Sequence, residues 1–116
     1  MVNVHSLSST IYPQEFVTGT SNQIELAEQI KPRVAAEFER VAGAFADAAS
    51  RQPAEARTDT QAIIAMVYEK RDQVLGNDQA GYFIREWQEL GDQVRQMIAR
   101  DPRYQAIKAR RRPREI

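Results

Sequence analysis

The chain has no cysteine and only one histidine, His5. Without thiols it can form neither disulfides nor thiolate metal sites. His5 has no second histidine and no run of carboxylates nearby with which to bind a metal ion or to form a catalytic site. The sequence therefore predicts no metal ion and no other cofactor.

Catalytic loops are missing as well. No serine stands in the pattern of a nucleophile elbow, and the five glycines are scattered instead of forming a phosphate-binding loop. Two pairs of carboxylates, Glu25/Glu28 and Glu86/Glu89, lie among glutamine and basic residues, as on the polar face of an ordinary helix. No set of residues combines a nucleophile, a base and an anion site. We expect no enzymatic activity and no small-molecule substrate.

Long apolar runs are also absent. None approaches the about 20 residues that a membrane-spanning helix requires. Residues 1–7 lack the basic start and the apolar stretch of a secretory signal peptide, although a serine- and threonine-rich start would also suit another kind of export signal. We expect no membrane contact, and a location in the cytoplasm or in an assembled particle.

The net charge is zero, but the charges are unevenly placed. Residues 103–116 hold six basic side chains and one acidic one, a net charge of +5, whereas the preceding 102 residues carry −5. Such a tail can bind nucleic acid in a salt-sensitive way, dock on an acidic protein surface (including that of a second copy), or stay solvated. The sequence leaves these three alternatives open. The basic tail consists of Lys108, Arg110, Arg111, Arg112 and Arg114.

The clearest positive signal is an apolar stripe between residues 80 and 98. Apolar residues recur there at alternating steps of three and four, which predicts one side of an amphipathic helix running from Asp78, its cap, to about Arg100. Core packing is the ordinary interpretation of this stripe. The more specific alternative is a partner-binding surface, because tryptophan and tyrosine dominate interface energetics. The candidate partner-binding residues are Phe83, Trp87, Leu90, Val94 and Met97.

Two further long helices precede this one. We expect the first to begin at Asn22, with Glu25 completing a capping box, and to kink or break near Pro32. The second is expected to begin at Thr58 and to stop at Gly76, where glycine would adopt the left-handed conformation that ends helices.

Asp101 and Pro102 predict the start of a short fourth helix, with Asp101 as its cap and Pro102 at its first position. Gly81 and Gly91 predict close approach of a neighbour, because glycine inside a helix costs about 1 kcal/mol relative to alanine. The expected fold is all-α, a small bundle of three main amphipathic helices plus the short carboxy-terminal helix.

Three regions follow from this pattern. Residues 1–21 form an extended amino-terminal arm, residues 22–101 a helical domain, and residues 102–116 a short helix with the arginine-rich tail. The arm is too apolar for a purely solvated linker, so we expect Ile11, Tyr12 and Phe16 to contact its own helices or a neighbouring chain.

The function that fits these features best is that of a non-enzymatic assembly or adaptor protein. It would act through contacts with a protein partner or with copies of itself, as a virion component, a secretion-machine component or a small chaperone. The alternatives are a nucleic-acid-associated protein that uses the basic tail, and a small inhibitor or antitoxin-like regulator that binds a partner protein.

Overall fold

A computed structural model of the chain describes residues 18–111, and all secondary structure elements longer than a single bridge in this range are helices. The all-α class predicted from the sequence is therefore confirmed for this part of the chain. None of these helices is long and apolar enough to cross a membrane. The described range contains five helices: α1 Ser21–Ala49, α2 Ala54–Leu75, α3 Ala80–Trp87, α4 Gln93–Arg100 and α5 Pro102–Arg111.

Helix α1 begins with a capping box, two residues earlier than predicted. The amide of Gln23 donates to the Thr20 hydroxyl at 3.2 Å, and the amide of Thr20 donates to the Gln23 side chain at 3.0 Å. The pair Asn22/Glu25 was therefore the wrong choice, since Thr20 and Gln23 have the same spacing and satisfy both amides. Of the kink or break expected near Pro32, the break is wrong, because α1 continues through this residue, and the kink stays a prediction.

Helix α2 begins at Ala54, four residues before the predicted start. The Thr58 hydroxyl lies inside the helix and donates to the Ala54 carbonyl at 3.1 Å, so it does not cap. Gly76 follows the last residue of α2 as predicted, but not in the left-handed conformation: among residues 18–111, only Gly19 is a glycine with positive φ. The position of this helix end was predicted correctly, and its cause was not.

The third predicted helix is divided into α3 and α4. Residues 88–92 are irregular, and the Gly91 amide there donates to the Gln93 side chain instead of entering a helical ladder. Glycine disfavours a helix, and this local bond offers its backbone an alternative. Of the atoms in residues 18–111, a Cβ at Gly81 or Gly91 would meet only a side-chain atom, at 3.3 and 3.6 Å respectively, so no described residue supplies the close neighbour expected at these glycines.

The predicted caps of α3 and α5 had opposite outcomes. The residue that precedes α3 is Gln79, which makes no side-chain capping bond, so Asp78 was the wrong choice of cap. Helix α5 begins at Pro102 as predicted, and the Asp101 carboxylate accepts the amide of Arg103 at 2.8 Å. Asp101 is thus the cap of α5.

The chain divides into two compact units. Unit 1 comprises, of the described residues, 18–36 and 71–90. Two backbone hydrogen bonds join Thr18 to the start of α3. The Thr18 amide donates to the Asp78 carbonyl at 2.6 Å, and the Ala80 amide donates to the Thr18 carbonyl at 2.8 Å. The buried apolar residues of unit 1 are Ala27, Ile30, Val34, Val74, Leu75, Ala80, Phe83 and Trp87.

Unit 2 comprises residues 37–70 and 91–111 of the described range. It contains the second part of α1, most of α2, and all of α4 and α5. Its buried apolar residues come from the first three of these helices: Phe38, Val41, Ala42, Ala49, Ala56, Ile63, Met66, Val67, Val94 and Ile98. Helix α5 contributes no buried residue.

Candidate protein-binding groove

The predicted partner-binding stripe falls into two parts. Phe83 and Trp87 are buried in unit 1, and Val94 is buried in unit 2. Leu90 and Met97 are half-buried. Core packing thus describes the first three side chains, and a role of the stripe in partner binding stays a prediction.

The predicted arm contacts and part of the basic tail lie outside the described residues. This applies to Ile11, Tyr12 and Phe16 in the arm, and to Arg112 and Arg114 in the tail. The other tail residues, Lys108, Arg110 and Arg111, lie in the last turns of α5 and are exposed.

The carboxy-terminal end of α5 is held by a carboxylate of α2. Arg110 donates to one oxygen of Asp59 at 2.7 Å, and Arg111 donates to the other at 2.9 Å. The Asp59 side chain is 19% exposed, while those of Arg110 and Arg111 are 57% and 39% exposed. Two cations of the basic tail therefore bind an acid within their own unit, although such exposed pairs contribute only about 0–1 kcal/mol each.

The amino-terminal end of α5 is held by a buried carboxylate. Asp101 is 2.9 Å from Lys70 and 2.7 Å from the guanidinium of Arg103, and Arg103 also reaches Glu69 at 2.7 Å. Hydrogen bonds from Arg103, and then from Lys70, hold the pKa of the Asp101 carboxyl well below its usual range. The same bond to Asp101, and a second to Glu69, raise the pKa of the Arg103 guanidinium. Ion pairs thus anchor both ends of α5.

Between these anchors, α5 borders a cavity of about 440 Å³. We call this cavity the α5 groove. Its apolar wall combines residues of α1, α2 and α5, of which only Ile63 is fully buried. The apolar wall consists of Phe45, Ala48, Ile63, Tyr104 and Ile107.

The polar edge of the α5 groove contains charges of both signs. It consists of Gln52, Asp59, Thr60, Lys108 and Arg111. The Thr60 hydroxyl donates to the side-chain oxygen of Gln52 at 2.6 Å, which orients the Gln52 amide at this edge. With an apolar wall and a polar edge, the groove suits an apolar side chain next to a carboxylate.

A smaller cavity of about 220 Å³ lies on α4 in the same unit and shares Phe45 and Tyr104 with the α5 groove. Asp92, Arg95 and Gln96 supply its polar groups. Two adjoining cavities are thus bordered by the same pair of half-buried aromatic rings.

The sequence contained a partial signal for this site. Tyr104 and Ile107 are three residues apart and were expected on the short fourth helix, but not as the wall of a groove. The Asp59 pairs span 51 and 52 residues, a separation over which no local pattern acts. Phe45, by contrast, follows the same helical spacing as buried Phe38 and Val41, so its partial exposure could not be read from periodicity.

Unit 1 buries a different charged group, Lys31. Its Nζ lies 3.8 Å from Glu28 and 5.2 Å from the centre of the Phe83 ring, and the residue is 3% exposed. Burial lowers the pKa of the Lys31 ammonium, and the Glu28 carboxylate partly opposes this. The ring face and the carboxylate make this buried charge tolerable.

Among residues 18–111, no cluster of three or more histidine, cysteine, aspartate or glutamate side chains has the arrangement to hold a metal ion. No model of a protein family matches the chain, and comparisons with curated proteins and with solved structures give no match. The functional proposal therefore rests on the residues of the chain itself.

Proposed function

We propose that this chain is a non-enzymatic assembly or adaptor protein that acts through protein–protein contacts. It would work in the cytoplasm or in an assembled particle, as a virion component, a secretion-machine component or a small chaperone. The observation that carries the proposal concerns α5. This helix has no buried residue, and ion pairs hold it in place beside an apolar groove.

The composition of the α5 groove supports a protein as the ligand. Tyrosine and arginine are among the residues that contribute most to protein interfaces, and here Tyr104 and Arg111 line one cavity. Tyr104 and Ile107 are only half-buried, so covering them would remove further apolar area from water. A partner would gain most from an apolar side chain placed against these two residues.

The described part of the basic tail fits an acidic protein surface as a partner. Arg110 and Arg111 already bind a carboxylate in the structure, which is the chemistry that such a surface offers. Asp59 would compete with an acidic protein and with a nucleic acid alike for these guanidinium groups, so the choice of a protein partner rests on the apolar wall of the groove.

The proposal can be tested by photo-cross-linking in the cells that express the chain. A photoreactive benzoylphenylalanine is placed at Ile107, in the groove, or at Ala109, which is exposed on the same helix and does not line the groove. We expect a discrete protein adduct from position 107 and none from position 109. The adduct at position 107 should disappear when Phe45→Glu is added.

Two results would contradict the proposal. One is an adduct with nucleic acid in place of protein at position 107. The other is the same pattern of adducts from positions 107 and 109, which would show that proximity is random and not directed by the groove.

A further inference from the structure

We propose that the α5 groove binds residues 11–17 of a second copy of this chain, so that copies exchange their amino-terminal arms. The inference rests on the proposed function and names its partner. The arm segment reads Ile-Tyr-Pro-Gln-Glu-Phe-Val and carries four large apolar side chains: Ile11, Tyr12, Phe16 and Val17.

The first argument is the match between apolar side chains and cavities. The arm segment has two aromatic residues, Tyr12 and Phe16, four positions apart. Unit 2 has two adjoining cavities of about 440 and 220 Å³ that share Phe45 and Tyr104. Aromatic pairs stabilise a contact beyond the effect of the area that they bury, so these half-buried rings favour an aromatic ligand.

The second argument is charge. Residues 1–21 contain one acid, Glu15, and no lysine or arginine. The groove has Lys108 and Arg111 at its edge and Arg110 beside it, opposed there by Asp59. A carboxylate next to Phe16 is therefore attracted to the edge of the groove, while Asp59 competes with it for the same guanidinium groups.

The third argument is the place from which the arm starts. Thr18 is fixed to unit 1 by its backbone bonds to Asp78 and Ala80. Residues 17 to 11 directly precede this fixed point, and these seven residues can span at most about 25 Å. A second copy can therefore receive the arm where its groove packs directly beside this Thr18.

The distribution of charge favours a second copy as the source of the arm. The net charge of the chain is zero, so two copies do not repel each other, and the +5 of residues 103–116 attracts the −5 of the remaining chain. Exchange of identical segments between copies also creates two equal contacts in one dimer.

Mixing two defective variants tests this exchange. Phe16→Ala damages the arm and leaves the groove intact, whereas Ile107→Glu damages the groove and leaves the arm intact. We expect the full chain to be a dimer by light scattering during size exclusion, and each variant alone to be a monomer. An equimolar mixture should form a heterodimer, because one intact arm and one intact groove remain. The matched controls Leu7→Ala and Ala109→Glu should dimerise like the unchanged chain.

Charge substitutions supply a second measurement. Glu15→Lys should weaken the dimer about tenfold, and adding Lys108→Glu should restore it. Asp59→Asn should tighten the dimer about threefold, because it removes the competing carboxylate. Circular dichroism of every variant controls for loss of folding, and the variant positions within residues 18–111, which are 59, 107, 108 and 109, are not fully buried.

A mixture of the two variants that stays monomeric would overturn the proposal, as would a dimer that Ile107→Glu leaves intact. A monomeric full chain whose position 107 cross-links to its own arm would show docking within one molecule and would also overturn it. An adduct at position 107 with a different protein would overturn the arm exchange but support the proposed function. Adducts with nucleic acid would overturn both.

Discussion

The two units of this chain are stabilised in different ways. In unit 1, helix α3 buries Phe83 and Trp87, and Thr18 closes its start with two backbone bonds. In unit 2, helix α5 buries no residue and is held by ion pairs at both ends. A helix that buries its apolar side chains has little left to offer a partner, whereas a helix held by its charges keeps its apolar side chains half-exposed.

Among the described residues, each unit buries one charged group, and both groups make stability rise with pH, although in different pH ranges. Lys31 in unit 1 has a lowered pKa because it is buried beside a ring, and Asp101 in unit 2 has a lowered pKa because two cations bind it. Burial of Lys31 opposes its charged form, so stability from this group rises with pH near the pKa of a lysine. The ion pairs of Asp101 favour its charged form, so stability from this group is lost in acid.

The largest predicted effect is the loss of a buried ring in unit 1, compared with the loss of a half-buried ring in unit 2. Phe83→Ala removes a fully buried ring from unit 1 and should lower the free energy of unfolding by about 3–5 kcal/mol. Phe45→Ala removes a half-buried ring from unit 2 and should cost about 1–2 kcal/mol. Chemical denaturation of both variants measures the difference. Equal losses would contradict the view that Phe45 lies at an open groove.

The next effect concerns the anchor of α5. Asp101→Asn keeps a capping side chain but leaves Lys70 without its carboxylate, and should cost about 2–3 kcal/mol. Hydrogen exchange should show the loss in α5 and α4 and not in α3. Faster exchange in α3 by the same factor would show that this ion cluster stabilises the whole chain and not unit 2 alone.

Acid should produce the same local loss in the unchanged chain. The pKa of Asp101 in the folded chain lies below the value of about 3.9 for an unfolded aspartate. Its contribution is therefore complete above pH 4 and is lost as the pH falls further. In Asp101→Asn this part of the pH dependence should disappear, and its persistence would assign acid sensitivity to other carboxylates.

A smaller effect tests the contact between Thr18 and the start of α3 in unit 1. Gly19 has φ +144°, and a Cβ there would lie 3.0 Å from the Cβ of Ala80 and from the side-chain oxygen of Gln23. Gly19→Ala should therefore cost about 1–2 kcal/mol, because it strains the backbone and disturbs the capping box of α1. Thermal unfolding measures this, and an unchanged midpoint would show that Thr18 contributes little to unit 1.

The smallest effect has the opposite sign and lies in unit 2. A Cβ at Gly43 meets no atom of residues 18–111 within 4 Å, and the residue is exposed inside α1. Gly43→Ala should stabilise the chain by about 0.5–1 kcal/mol. A loss of stability would mean that something covers this position in solution, which a test of Gly43→Ala at several protein concentrations would reveal.

These contrasts show what the sequence could and could not predict. Asp101 with Pro102 marked a helix start correctly, because capping depends on adjacent residues. The capping box of α1 was misplaced because Thr20/Gln23 and Asn22/Glu25 have the same spacing, and only the backbone selects between them. The break between α3 and α4 was missed because an apolar stripe continues in the sequence across Gly91 whether or not the helix does.

The candidate groove could not be predicted from the sequence for a related reason. Tyr104 and Ile107 signal an amphipathic helix, but their exposure depends on how closely α1 and α2 approach it. The salt bridges from Asp59 to Arg110 and Arg111 join residues about 50 positions apart, and no local rule predicts them. Local chemistry thus predicted helices, and only tertiary packing revealed the site.

The central claim is that the α5 groove binds a protein and that unit 1 does not. Photo-cross-linking from Ile107 in unit 2 and from Arg33, an exposed residue of α1 in unit 1, tests it most directly. The account predicts one discrete protein adduct from position 107 and none from position 33. An adduct from position 33 alone, or equal yields from both positions, would contradict it.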